Sequence, residues 1–528
     1  MESEKQFPAP EPPNQPPPYG YPQSYPPQYA AQSYLPQGYP GPPSAQTYPA
    51  QNYQPSQPYG PGQQQRPTIG VPPEGCFRRN QKNKPQSNAV GAAALIFISG
   101  GMNIALSAGF HNSYLTIHMR VCWFIGAIIG ALFSCFLANQ ISKKIIFQFS
   151  SFLVLIGGIV LACTKHNQNA MTAGLYLDGI ANGFVFAPTL ALAGEVVVFY
   201  MRGSITTNVE QMCYGIGFFL QIIYSMSWNS GAAITSEQLH GLLSTVYGII
   251  GLIIGSFLTI ESPVLVLATK NEEAALDTLR LLQEPFTITS ETYEQLAEHK
   301  RYLEKNKVLS TCESLVQAIP AFIRLVFLRA LNAMSMSQVA GYAFTLATYT
   351  VYRNQAGPYV VFGLCRWLGN FITAFCTDTV GRKKLVLLGL LVTASMAIGA
   401  ASKLDSSYKS WKFPKYNPHD MESVMALLCV YQVFAGVAFT PTSAYLSEAY
   451  PLGVKQNMIS FTFIAEMLVF LIINATDLSF TGTVNFFYIL GGISAFSFVV
   501  GIWTFPETKR TTLRESQDKF RGMLSKGC

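Results

Sequence analysis

The sequence predicts an all-α membrane protein with twelve transmembrane helices in two six-helix halves, and three observations predict it. Segments of roughly 20 apolar residues, the length that spans about 30 Å of hydrocarbon, recur from Ala89 onward. Only 12% of the 528 residues are charged against 49% hydrophobic, about half the charged share of an ordinary soluble domain. One long polar interruption, near residues 262–320, divides the apolar segments six and six.

The elements follow in order. Residues 1–84 are rich in Pro, Gln, Tyr and Gly. Such a tail buries too little apolar surface to offset the entropy of ordering, so it is expected to be disordered. It also lacks the apolar core of a removable signal peptide, which leaves the first helix to direct insertion. Within it, Pro16-Pro17-Pro18-Tyr19 and Pro26-Pro27-Gln28-Tyr29 fit the Pro-Pro-x-Tyr pattern. WW domains read that pattern by stacking prolines in aromatic grooves, and chance recurrence in a Pro/Tyr-rich tract is the competing reading.

The first half, residues 85–261, is expected to hold helices near 89–110, 119–138, 145–164, 171–195, 204–227 and 240–260. The second half, 321–508, is expected to hold helices near 322–351, 358–377, 384–402, 422–447, 458–476 and 483–505. The linker, 262–320, carries helix-prone polar stretches such as Asn271 to Leu276 and Glu291 to Lys307. With Ser290 available as an N-cap, these read as amphipathic helices on the membrane surface. Residues 509–528 form a basic C-terminal tail.

The formal net charge of +7 is distributed as the positive-inside rule requires, not as a nucleic-acid surface. Arg78, Arg79, Lys82, Lys84, Lys143, Lys144, Arg382, Lys383, Lys384 and the Lys509 to Lys526 tail share one side if both termini are cytoplasmic. The loop with Lys403, Lys409, Lys412 and Lys415 is the exception. The ten cysteines fall mostly in apolar segments and none lies in a predicted outer loop, so no disulfide framework is expected. No metal cluster, nucleotide loop, cofactor motif or catalytic nucleophile stands out, and the chain is not expected to be an enzyme.

The two halves repeat their chemistry. Asn139-Gln140-Ile141-Ser142-Lys143-Lys144 follows the second helix, and Asp378-Thr379-Val380-Gly381-Arg382-Lys383 follows the eighth. Glu195 closes the fourth helix with Arg202 seven residues on, and Glu448 closes the tenth with Lys455 seven on. Equivalent motifs at equivalent places are the mark of a transporter built from repeats.

On these motifs, with Glu261-Ser262-Pro263 after the sixth helix and Pro506-Glu507-Thr508-Lys509 after the twelfth, the chain resembles the sugar porter (facilitative glucose transporter-like) family of the major facilitator superfamily over residues 89–515. The resemblance implies the major facilitator fold and alternating access to a central cavity. It also implies a cytoplasmic gate in which Glu195, Arg202, Asp378, Arg382, Glu448 and Lys455 pair across the halves. A bland reading competes, in which some of these bases only obey topology.

The departures concern the gate of the first half and the cargo site. The family's Asp and Gly in the first-half loop are Asn139 and Ser142, and its Arg before the fourth helix is Leu175. The seventh-helix motif reads Ser337-Gln338-Val339-Ala340-Gly341-Tyr342-Ala343, keeping one Gln and losing its Asn. The tenth-helix motif is reduced to Gly436-Val437-Ala438-Phe439-Thr440-Pro441.

Among the ionisable residues inside predicted helices, Glu210, Arg366 and Glu466 stand out as lying well within apolar stretches. A charge at that depth costs at least ~2.5–3.5 kcal/mol, so each is expected to face the cavity or a partner. Two readings stand. Arg366 pairs with Glu466 or Glu210 as a compensated structural pair, or the three, with Gln211, Ser337 and Gln338, replace the family's sugar contacts. Asn103 stands where proton-coupled relatives often carry an acid, which favours facilitated diffusion, although Glu210 or Glu466 could carry a proton. The expected cargo is a sugar or sugar-like solute, with a charged organic solute or a non-transporting sensor as alternatives. The expected setting is a multi-pass plasma-membrane protein.

Overall fold

The computed structural model describes residues 75–522 apart from 112–114, 166, 229–231, 354 and 410–416. The chain divides into two units, 1–67 and 68–528. The two Pro-Pro-x-Tyr motifs, with Pro16, Pro17, Tyr19, Pro26, Pro27 and Tyr29, lie outside the described residues, as do Lys412, Lys415 and Lys526. Every regular element among the described residues is helical.

The chain enters through α1 (Cys76–Lys82), inside the stretch expected to end a disordered tail, and α2 (Lys84–Ala89), which begins at the last residue of that stretch. These turns are held from a distance. Buried Asn83 donates to the Tyr200 hydroxyl at 3.2 Å, and Lys82 pairs with Glu291 at 2.5 Å. Local composition carries no trace of partners more than a hundred positions away.

The first half comprises α3 (Gly91–Ser107), α4 (Ile117–Leu137), α5 (Lys143–Cys163), α6 (Gln168–Val196), a fifth span described below and α9 (Ser236–Phe257). That fifth span runs as α7 (Arg202–Thr207), a π-turn (Asn208–Met212) and α8 (Cys213–Met226). Three linker helices follow, α10 (Pro263–Thr269), α11 (Glu272–Leu281) and α12 (Ser290–Lys307). The second half is α13 (Thr311–Ser335), α14 (Gln338–Tyr352), α15 (Gly357–Cys376), α16 (Arg382–Lys409), α17 (Pro418–Phe439), α18 (Thr442–Ala449), α19 (Lys455–Ala475) and α20 (Phe480–Thr504). A last helix, α21 (Leu513–Arg521), lies in the tail.

Among the described residues, ten helical stretches are long and apolar enough to cross a membrane, with α13/α14 and α17/α18 each counted as one stretch. The shorter apolar α3 and the interrupted α7/α8 bring the spans to twelve. Three of the spans are broken, each for a readable reason. Pro441 lacks an amide hydrogen and its ring obstructs a helical path, so α17 hands over to α18 there. Extended Ser337 (ψ 166°) separates α13 from α14, and the amide of Gln338 is taken up by the Asn474 side chain at 2.8 Å. The π-turn inserts into the fifth span at Glu210, and such turns recur at functional sites.

Small residues let the spans approach closely, as membrane packing favours. Gly126 of α4 faces α6 so closely that a Cβ there would stand 2.7 Å from the Tyr176 carbonyl oxygen. On the outside, Phe149 and Phe152 of α5 and Ile249 and Ile253 of α9 are exposed, as expected where the solvent is hydrocarbon.

The halves meet in a pseudo-two-fold pattern. The second span, α4, packs on the eleventh, α19, and the fifth, α8, packs on the eighth, α15. At one end, here the linker face, α12 and α21 lie over the bundle. Arg324 of α13 holds α21 through the Phe520 carbonyl at 2.5 Å, and Gln517 of α21 reaches the Tyr302 hydroxyl of α12 at 3.1 Å.

Candidate functional site

At the middle of the bundle the residues singled out in the sequence converge, around a residue the sequence analysis passed over. Arg329 of α13 donates to Glu210 at 2.6 Å and to Glu466 at 2.8 Å, and it reaches the Thr442 hydroxyl at 3.2 Å. All three ionisable groups are nearly or fully inaccessible. The guanidinium lies 5.3 Å from the centre of the Phe186 ring, a distance at which the ring face attracts a cation. Glu210 also accepts from Ser443 at 2.5 Å and from Gln211 at 2.7 Å.

The proposed direct pairing of Arg366 with Glu466 or Glu210 is therefore corrected: Arg329 takes both carboxylates. Arg366 lies one step behind. It donates to Asn332 at 2.6 Å and to Ser335 at 3.0 Å, and the Asn332 amide donates to Glu466 at 2.8 Å. Hydropathy starts the seventh span near 322, which would put Arg329 within about two turns of its end. The span in fact starts at Thr311, and that places Arg329 deep in the bundle.

The remaining central candidates are spread out. The cavity at the network is lined by Glu210, Gln211, Tyr214, Arg329, Asn332 and Glu466, with Phe463 and Phe470 among its apolar walls. Ser337 and Gln338 are absent from that lining. Ser337 turns its hydroxyl back to the Met334 carbonyl at 2.8 Å. The cavity volume is about 10 Å³, room for about one water. In this conformation Arg329 and its partners fill the centre of the bundle.

On the linker face the six residues expected to form a gate meet. Glu448 accepts from Arg382 at 2.7 Å and lies 3.5 Å from Arg202, and Arg382 also pairs with Asp378 at 3.3 Å. Asp378 caps α7 of the other half, accepting from the amides of Gly203 at 3.1 Å and Ser204 at 2.7 Å. Glu195 pairs with Lys455 across the halves at 3.1 Å and accepts from Ser262 at 2.5 Å. The repeat extends to the helix caps. Glu261 accepts from the Lys143 amide at 3.1 Å, and Glu507 from the Arg382 amide at 3.1 Å. Asn139, in the place corresponding to Asp378, is exposed, so the two-fold network is lopsided toward the second half.

The opposite face is closed by packing. Phe110 lies edge-on to Phe218 and against Phe362, and the Phe124 and Phe470 rings stack at 5.0 Å. Arg120 pairs with Asp477 at 3.0 Å. Asn474, part of the glycosylation-like Asn474-Ala475-Thr476, is buried.

A second overlooked ionisable residue, the acid Asp178 of α6, is buried among Ser99 and Asn103 of α3, Trp123 of α4 and Asn182 of α6. Its signal in the sequence was an acid seven residues inside a predicted apolar span.

Comparisons with known proteins agree with this architecture. The model of the family described as "Sugar (and other) transporter" matches residues 65–520. The MFS glucose transporter mfs1 of Aspergillus flavus is 24% identical over 431 residues, 75% of this chain and 79% of that protein. The galactose-proton symporter of Escherichia coli K12 is 24% identical over 443 residues, 80% of this chain and 91% of that protein. Among solved structures, the proton:xylose symporter XylE bound to 6-bromo-6-deoxy-D-glucose superposes with a TM-score of 0.65 at 17% identity, covering 82% of this chain and 99% of that one. With a family match across most of its length, twelve spans in two related halves and a central cavity between them, this chain belongs to the sugar (and other) transporter family and is a multi-pass membrane transporter of the major facilitator fold.

Proposed function

We propose that this transporter carries a neutral, sugar-like polar solute, binding it at the central cavity and exposing it to each side in turn. The observation that carries the reading is the charge balance of that cavity. Glu210 and Glu466 are matched by Arg329 and Arg366, so no net charge is left to neutralise an ionic cargo. Amide and carboxylate groups beside the stacked Phe186 and Phe463 rings offer both hydrogen bonds and the apolar faces a sugar ring packs on. The relatives named for galactose and glucose transport favour the same class.

In this reading the linker face is cytoplasmic, because Arg79, Lys82, Lys143, Arg382 and Lys509 gather there. Glu195, Arg202, Asp378, Arg382, Glu448 and Lys455 then form the inner gate, which must part for release. The N-terminal Pro-Pro-x-Tyr motifs would face the cytoplasm of a plasma-membrane protein, within reach of a WW-domain ubiquitin ligase. Unchanged turnover after Tyr19→Ala and Tyr29→Ala would refute that partner.

Uptake of labelled D-galactose, D-xylose and D-glucose into proteoliposomes, beside an organic cation and an organic anion, tests the cargo. Saturable sugar uptake is expected, and Arg366→Ala, which unties Asn332 from its place against Glu466, should abolish it while the protein remains folded. Uptake of an organic ion alone would overturn the neutral reading, and ligand binding without flux would make the protein a sensor.

A further inference from the structure

Asp178 is a buried acid that the alternating-access reading does not use, and its surroundings are built to hold it in two protonation states. One carboxylate oxygen, Oδ1, accepts three N–H groups: Asn103 at 2.9 Å, Trp123 at 2.8 Å and Asn182 at 2.9 Å. The other, Oδ2, has one partner among the described residues, the Ser99 hydroxyl, which lies 3.0 Å from the Ser244 hydroxyl of α9. These partners are all neutral, so the charge has dipoles around it and no counter-ion in contact.

The division of labour between the two oxygens matters. An amide or indole N–H can only donate to Oδ1, whereas a hydroxyl can reverse. With the acid ionised, Ser99 donates to Oδ2. With a proton on Oδ2, the carboxyl donates to Ser99, and Ser99 turns its hydrogen to Ser244. Ser244 can in turn use a carbonyl of its own helix. One proton is added, two hydroxyls rotate, and no hydrogen bond of the carboxyl is lost. Beside it the Asn103 side-chain oxygen is buried without a partner, an acceptor waiting for a donor.

The site also touches the cavity. Asn182, held by Asp178 through its amide, accepts from the Tyr214 hydroxyl at 3.3 Å, and Tyr214 lines the central cavity with Glu210, Arg329 and Glu466. Backbone contact leaves little slack there, since a Cβ at Gly100 would stand 2.7 Å from the Tyr214 ring. On the elements packed around Asp178 the facing groups are Ser99 and Asn103 of α3, Trp123 of α4, Asn182 of its own helix, Tyr214 of α8 and Ser244 of α9. Of these only Tyr214 titrates, and α5 brings Gly157.

We propose that Asp178 is a proton-binding site coupled to the central cavity through Asn182 and Tyr214, so that a proton gradient drives the solute. The solute half of this statement rests on the transport reading above. It replaces the facilitated diffusion expected from Asn103, because the asparagine proves to be a ligand of an acid on a neighbouring helix.

Trp123 supplies a readout that needs no substrate. The purified full chain is titrated with acid while tryptophan emission is followed, in the wild type, Asp178→Asn, Ser99→Ala and Trp123→Phe. A pH-dependent step is expected in the wild type, absent in Asp178→Asn and Trp123→Phe, and displaced along the pH axis in Ser99→Ala, which also serves if Asp178→Asn folds poorly. No step in the wild type, or the same step in Asp178→Asn, overturns the proton site. In proteoliposomes an inward proton gradient should stimulate D-galactose or D-xylose uptake, and Asp178→Asn should lose that stimulation. Equal stimulation in the variant overturns the coupling. Absence of sugar uptake in every protein refutes the sugar reading and the gradient-driven half of the proposal, while the emission step still decides the proton site.

Discussion

Arg329→Met is the perturbation that most directly tests the central network. Methionine keeps much of the length and the apolar stem but removes the cation that bonds Glu210 at 2.6 Å and Glu466 at 2.8 Å. Both carboxylates are then left uncompensated in a dry interior, and removing one partner of a buried pair costs about 3–5 kcal/mol. For a chain of this size that is a fall on the order of 3–5 °C in the unfolding midpoint. Arg329→Met/Glu210→Gln/Glu466→Gln removes both orphaned charges, and neutral replacements of buried ion networks are often tolerated, so it should recover most of the loss. The assay is fluorescence-detected unfolding of detergent-solubilised protein at one fixed heating rate, since such unfolding is under kinetic control. An unchanged midpoint in Arg329→Met, or a triple variant no more stable than the single one, would refute the reasoning.

Two further outcomes follow from the linker face. Glu448→Gln removes the carboxylate shared by Arg382 and Arg202 and should raise thiol labelling of an Ala444→Cys probe, now fully buried, on the order of 10-fold; unchanged labelling would show that these pairs do not hold the face shut. His299 of α12 is pushed down from 6.5 to about 4, chiefly by burial and then by the nearby Arg202, with Lys455 adding to it and Glu195 opposing. Its folded form prefers the neutral ring, so the stability it contributes is present above pH 6.5 and is lost as pH falls toward about 4. His299→Gln should flatten the unfolding midpoint across that window by the equivalent of about 1–3 kcal/mol, and identical acid profiles for the two proteins would refute this.

The ion-pair cluster of the linker face was legible in the sequence because each of its residues sits at a helix end fixed by hydropathy, and because the motifs recur in both halves. Glu195, Arg202, Asp378, Arg382, Glu448 and Lys455 could be named without coordinates, and the structure brings all six to one face. The centre was less legible. Its geometry depends on the rotation of each helix about its own axis and on where helices break. A residue two turns inside a predicted span cannot be placed until the span's true start is known.

The class, the helix number, the two-fold repeat and the gathering of basic residues at one end could all be read along the chain, since they depend on hydropathy and spacing that lipid enforces locally. Which residue pairs with which came from the packing of the helices. It gave Glu210 and Glu466 to Arg329, put Arg366 behind Asn332, folded residues 75–89 against Tyr200 and Glu291, and surrounded Asp178 with neutral donors. Those outcomes turn on contacts between helices far apart in the chain, and a buried charge takes whichever partner the packing brings within about 3 Å.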